Sequence, residues 1–273
     1  MRTGARYALS GLTVAVFAIV FVVPFVFIAL NALKNRTEAA DLAFSWPTQI
    51  QFVQNLIDVI QARDFMVIIA FINSAVLTVA SVTLLVILSA MVAFVLQRRP
   101  SRLNPLINFA VLAGLMIPPA VVPTIWVLQS VGLFQTMPGL ILVEIAFGMS
   151  FSIMLFRAFV GTVPRELDEA AITDGAGPLR LFFQIIFPLL KPVIVTVVVV
   201  QSVMIFNDFT NPLYFTPSVP TVQLTLYNFQ SQFVSEYNLL FMNILLITIP
   251  PLLVFLFFNR QLVAGMTSGA VKG

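Results

Sequence analysis

The sequence has no cysteine and no histidine in 273 residues. Without cysteine there is no disulfide, no thiolate nucleophile and no sulfur-based metal site. Without histidine the usual general base near neutral pH and the commonest metal ligand are missing, so no metal centre is expected. Charge is scarce too, at 9% of residues, against about 25% in an ordinary soluble domain. A phosphate-binding loop is also absent. It needs two glycines five apart, then Lys and Ser or Thr, and none of the 12 glycines are so spaced. The chain is therefore not read as an ATPase or as any enzyme built on a histidine or cysteine nucleophile. What is present is apolar: 60% of residues are hydrophobic and the mean hydropathy is +1.03. A water-soluble fold cannot cover that much apolar surface with so thin a polar coat. The composition is that of an integral membrane protein. The net charge of +3 reads as basic loops on the cytoplasmic side, not as a nucleic-acid patch.

Charges divide the sequence into long neutral runs at 7–33, 65–97 and 103–143. A bilayer core about 30 Å thick needs about 20 helical residues, so the first two runs each hold one span. The third is too long for one. Pro118, Pro119 and Pro123 interrupt it, and Gly132, Pro138 and Gly139 mark a turn. This predicts helices at about 105–128 and 138–163. Two further apolar helices are expected at about 185–211 and 238–259, which gives an all-α, polytopic, six-helix membrane protein as a single domain over 1–273. Loops are expected at 34–64, with an amphipathic stretch from Phe52 to Ile60, and at 212–237. The first run is expected to be an uncleaved span, because it is about twice the length of a signal-peptide core.

Six spans place both termini on one side. That side would carry 11 of the 14 basic residues, including Arg2, Arg6, Arg98, Arg99, Arg102, Arg157, Arg165, Arg180, Arg260 and Lys272. The other would carry Lys34, Arg36 and Arg63. The excess of positive charge marks the cytoplasmic side, so both termini and the 164–181 loop are expected there. The Arg98–Arg102 turn reads as an anchor at anionic headgroups, with contact to a partner protein as the other reading. Arg157 is expected to snorkel or to pair with the acidic loop.

That loop runs Thr162-Val163-Pro164-Arg165-Glu166-Leu167-Asp168-Glu169-Ala170-Ala171-Ile172-Thr173-Asp174-Gly175. Pro164 suits a first helical position. Glu166, Asp168 and Glu169 fall where the helix dipole favours anions, and Gly175 is a natural stop. The pattern predicts a helix of about 15 Å outside the bilayer. Ala170 and Ala171 would give it a small-residue surface. It reads either as a plain solvated connector or as a surface that another protein's backbone can approach closely.

Glu169-Ala170-Ala171, Gly175, Ile185 and Pro188 resemble the signature of bacterial ABC importer permeases: E-A-A-x-x-x-G, nine residues, then I-x-L-P. Every fixed position matches except the leucine, which is Phe187 here. The resemblance extends along the chain. Asn207-Asp208-Phe209 with Pro212-Leu213, Trp46-Pro47, Asn73-Ser74 and the tail from Leu262 to Gly273 are similar to the maltose-type sugar permeases. The resemblance implies a type I permease fold in the bacterial inner membrane. It makes 164–181 a coupling loop that docks on a separate ATPase, with Glu169, Ala170, Ala171, Asp174, Gly175 and Pro188 as coupling residues. It also implies a second homologous permease, two ATP-binding subunits that hold ATP and Mg, and an extracytoplasmic binding protein delivering a di- or oligosaccharide, polyol or glycerol phosphodiester. No cofactor is expected in this chain. Which solute is carried does not follow.

Two acids fall within the predicted spans, Glu144 and Asp208, both in the outer third. Carboxylates facing lipid are costly. One reading makes them a polar lining that meets sugar hydroxyls, with Gln201, Asn207 and Tyr214. The other makes them structural, Asp208 capping a helix end and Glu144 pairing across the bundle. Three other classes stay open: an ABC permease for an amino acid, an ion-coupled secondary transporter, and a membrane enzyme using these two acids.

Overall fold

The computed structural model describes residues 2–232 and 236–270, with side chains over 10–227 and 236–258. The tail from Leu262 onward, Arg2, Arg6 and Arg260 lie outside the described side chains, and Lys272 lies outside the described residues. Among those described, the elements are helices in the order α1 (Arg2–Leu33), α2 (Arg36–Ala40), α3 (Phe52–Arg98), α4 (Asn104–Met116), α5 (Val121–Ser130), α6 (Met137–Val160), α7 (Glu166–Thr173) and α8 (Pro178–Arg180). A π-helical stretch, Leu181–Ile186, then leads into α9 (Phe187–Leu189), α10 (Lys191–Phe206), α11 (Thr210–Phe215), α12 (Val222–Gln232) and α13 (Tyr237–Ala270). Four segments are long and apolar enough to cross a membrane: Ser10–Leu33, Phe52–Arg98, Met137–Val160 and Tyr237–Phe258. A fifth is the pair Pro178–Leu189 and Lys191–Phe206, bent by 78°.

Prolines account for two departures from the expected spans. The helix expected at 105–128 is two shorter ones, α4 and α5. Ile117, just before Pro118-Pro119, takes an extended backbone with ψ 124°, because a proline crowds the α conformation of the residue ahead of it. Pro123 falls in the first turn of α5, where its missing N–H is not needed. The helix expected at 185–211 bends at Leu190 (ψ 4°). Pro192 there has no N–H to give the Pro188 carbonyl, and its ring crowds that oxygen. This segment ends at Phe206, and α11 is a separate turn.

Two other differences lie in the expected loops. The region 212–237 contains α12, and Phe52–Ile60 is the first part of α3. A break at Ala62–Phe65, with φ of 51°, 53° and 60° at Arg63, Asp64 and Phe65, separates it from the rest of that helix. This is where the last charge before the neutral run had placed the start of a span.

The chain divides into two compact units. One comprises residues 1–69 with 223–250, the other 70–222 with 251–273. Lipid is as apolar as leucine, so close packing and hydrogen bonds, not the hydrophobic effect, hold membrane helices together. The first unit shows this in a buried polar knot. Lys34, fully buried, gives its Nζ to the carbonyl of Ala43 at 2.6 Å and to Asn31 Oδ1 at 3.2 Å. Asn55 donates to the carbonyls of Ala32 and Lys34 and accepts from Asn238 at 2.8 Å.

The second unit has the main core, with Leu85, Ala90, Ala93, Phe156, Ile186, Leu190 and Val197 fully buried. Gly148 leaves room on α6 for the side chains of Leu85 and Gln201. Asn73 donates to the Pro220 carbonyl at 2.9 Å, and Ser74 Oγ accepts from the Val222 amide at 3.0 Å. These two residues therefore pin the turn before α12 onto α3.

Candidate functional site

Eight residues make α7, about 12 Å of helix. It opens at Glu166 with Arg165 as cap, so Pro164 lies two residues ahead of the position expected for it. Glu166, Asp168 and Glu169 occupy the first turn, where unpaired amides favour anions. The helix ends as the Asp174 amide bonds Ala170 and the Ala176 amide bonds Ala171 at 2.9 Å. Gly175 takes φ +81°, a conformation that strains any side-chain-bearing L residue. Gly177 caps α8, with Pro178 in its first turn.

The faces of α7 differ. Glu169, Ala170, Asp174 and Gly175 are exposed, whereas Asp168 and Ala171 are buried. The expected Ala170–Ala171 surface is therefore halved, because Ala171 packs into the core with Leu181 and Phe182. Pro188 is exposed on α9. Phe187, where the signature has leucine, fills its place with a ring 5.6 Å from Phe182 and 6.1 Å from Phe183.

Arg98, which opens the basic turn, is engaged within the chain. Its Nε lies 2.7 Å from Asp168 Oδ2, with side chains 8% and 13% exposed. Its other arm donates to the Val163 carbonyl at 2.8 Å. Arg165 reaches the Gln97 carbonyl at 3.5 Å. The short helix is thus tied to the end of α3 as well as to α6. Burial pushes the Asp168 carboxyl above the ordinary carboxylate range, against the pull of Arg98 and Arg165. Neither Arg98 nor Asp168 was among the expected site residues. The available signal was spacing: Asp168 lies three residues before Ala171, on the same helix face.

The second candidate cluster lies at the other end of α6. Asn211 donates to Glu144 Oε1 at 3.2 Å, and Asp208 Oδ1 accepts the Thr210 amide at 2.8 Å. The Asn211 amide also reaches the Asp208 carboxylate, at 3.3 Å to Oδ2. Glu144 and Asp208 are neighbours, and both carboxyls help seat α11 beside α6. Asn211 joins them and was missed, since an amide carries no charge signal. Gln201 is buried against α6 and donates to Ser152 Oγ at 3.3 Å and to the Gly148 carbonyl at 3.5 Å. Asn207 donates to the Val203 carbonyl at 2.9 Å, and Tyr214 is exposed. Arg157 donates to Gln97 and Asn108, and among the described residues it makes no ion pair with the acidic helix.

Comparison with known proteins places this arrangement. The diacetylchitobiose uptake system permease protein NgcG of Streptomyces coelicolor is 30% identical, over 97% of this chain and 89% of its own length. The melibiose/raffinose/stachyose import permease protein MelC of Bacillus subtilis is 32% identical, over 96% and 95%. A solved chain of a bacterial ABC transporter involved in import of the acidic polysaccharide alginate superposes with a TM-score of 0.78. It covers 95% of this chain and 98% of its own, at 18% identity, a likeness of fold. Residues 86–268 match the model of one family. That match is well over half of the chain and contains α7, the bent pair and the Glu144–Asp208 cluster. The chain is a multi-pass transport subunit and belongs to the family of binding-protein-dependent transport system inner membrane components.

Proposed function

We propose that this chain is one of two homologous permease subunits of an ATP-driven importer. The solute is a di- or oligosaccharide or a related polyol, handed over by an extracytoplasmic binding protein. Support for a sugar comes from the relatives: diacetylchitobiose, melibiose and, in Mycobacterium tuberculosis, trehalose transport. Both termini and α7 lie in the cytoplasm. The two short helices α4 and α5 act together as one broken span, which with the other five makes six. Two separate ATPase subunits hold ATP and Mg, and one grips α7 through Glu169, Ala170, Asp174 and Gly175.

One observation carries the reading. The family's inner-membrane component here presents a short acidic helix with an exposed outer face, and its inner face is fastened by Asp168 to the end of α3. A push on that face moves α3 and α6 together. The polar residues around α11 (Glu144, Asn207, Asp208, Asn211 and Tyr214), with Gln201 behind them, line the path at its outer end.

Labelled-sugar uptake in a strain lacking the chain tests this. The wild-type gene should restore uptake of one di- or oligosaccharide. Glu169→Lys and Gly175→Asp should reduce it to background while membrane insertion stays normal. Normal uptake by both variants would refute the coupling role. Uptake restored for an amino acid or a glycerol phosphodiester, but for no sugar, would refute the solute class.

A further inference from the structure

Arg157 sits one turn before the end of α6, at the wall of a cavity of about 350 Å³. Gln97 at the end of α3, Asn108 on α4 and Gly161 share that wall with the apolar Leu112 and Met154. The Arg157 Nε donates to Gln97 Oε1 at 3.4 Å, and a terminal nitrogen donates to Asn108 Oδ1. Gly161 leaves the Gln97 amide its place, since a Cβ there would lie 3.1 Å from Nε2. A guanidinium carries five N–H donors in a planar fork. Here two neutral amide oxygens take two of those donors, and the residue lines the cavity. Among the described residues the ion pairs are Arg36–Glu236 and Arg98–Asp168, so no described carboxylate neutralises Arg157. A charge on a membrane segment calls for a counter-charge.

We propose that this cavity binds the phosphate headgroup of an anionic membrane lipid, with the Arg157 fork on the phosphate oxygens. Phosphate suits a planar fork better than a point charge does. Leu112 and Met154 at the cavity, and Leu106 and Phe109 on the same helix as Asn108, are exposed and offer an apolar track for acyl chains. Arg99, Arg102 and Arg165, exposed near the same end of α6, add a positive field that draws anionic headgroups. Assignment to the inner leaflet rests on the orientation proposed above. Binding itself does not, because the test reads lipid and not transport.

The importer containing this chain is purified from nanodiscs of phosphatidylglycerol and phosphatidylcholine in equal parts. After mild delipidation, the retained lipid is counted by native mass spectrometry. Wild type should retain phosphatidylglycerol over phosphatidylcholine by about fivefold more than Arg157→Gln does. Ala158→Phe, which fills the cavity and leaves the charge, should lose the same preference. Arg99→Gln with Arg102→Gln, which thins the surrounding field and leaves the cavity, should lower it less than Arg157→Gln alone does. On the wild type alone, added short-chain phosphatidylglycerol should raise the thermal transition, and inorganic phosphate should not. Equal retention in wild type and Arg157→Gln would overturn the proposal. So would equal protection by inorganic phosphate, or a photo-crosslink from position 157 that captures protein and not lipid.

Discussion

Arg98 and Asp168 differ in what each leaves behind when removed. Burial already disfavours the Asp168 carboxylate more than its cationic neighbours favour it. Asp168→Asn removes that cost but leaves the Arg98 guanidinium, 8% exposed, without its counter-charge, so it too should destabilise, with one amide oxygen still able to accept from Arg98. Arg98→Met strands a buried carboxylate and should cost about 3–5 kcal/mol at neutral pH. The pH dependence has a definite sign. The folded-state pKa of Asp168 is raised, so the stability tied to its protonated form is fully present below the unfolded carboxylate range. It is lost as pH rises through the raised value. The Arg98→Met defect should therefore shrink on mild acidification, and adding Asp168→Asn should remove that pH response. Thermal unfolding of the four variants in detergent at neutral and mildly acid pH checks both points. A defect in Arg98→Met that does not change with pH would contradict the assignment. At this scale the sequence was half legible. The charges of Arg98 and Asp168 were plain, but their meeting was not, because 69 intervening positions hide which helix ends converge. Asn211 and the inward turn of Ala171 were hidden for the same reason.

At the scale of elements, long apolar runs announced the helices and prolines announced their breaks. What the runs concealed was how a break is shaped. Pro118-Pro119 ends one helix and starts another, while Pro192 leaves a helix pair bent by 78°. Pro118-Pro119 lies in a charge-free run and Pro192 directly follows Lys191, and in both places hydropathy is blind to backbone geometry. Conversely, α12 was read as loop because its Gln, Thr, Ser and Asn content gave it no apolar stripe. The pinning of its approach by Asn73 and Ser74 is long-range. The bend at Leu190 stands between α7 and α10, so under the proposed coupling role it would set the direction in which motion of the short helix is delivered. Pro192→Ala restores an N–H for the Pro188 carbonyl and should straighten the pair. Sugar uptake should fall severalfold with insertion and expression unchanged. A double electron–electron resonance distance across the bend should lengthen. Unchanged distance and unchanged uptake would show that packing, not Pro192, makes the bend.

For the whole molecule, the central claim concerns the source of force. The chain carries no phosphate cradle, and its exposed acidic helix is fastened to the ends of two membrane helices. The account requires an external ATPase acting through that helix. The most direct measurement is sugar uptake into proteoliposomes that hold this chain and its partner permease, with binding protein outside. ATP is enclosed, and the ATPase subunits are either added or omitted. The account predicts uptake only with the ATPase present, and its loss in Glu169→Lys although ATP hydrolysis by the ATPase persists. Uptake in the absence of the ATPase, or undiminished uptake by Glu169→Lys, would contradict it.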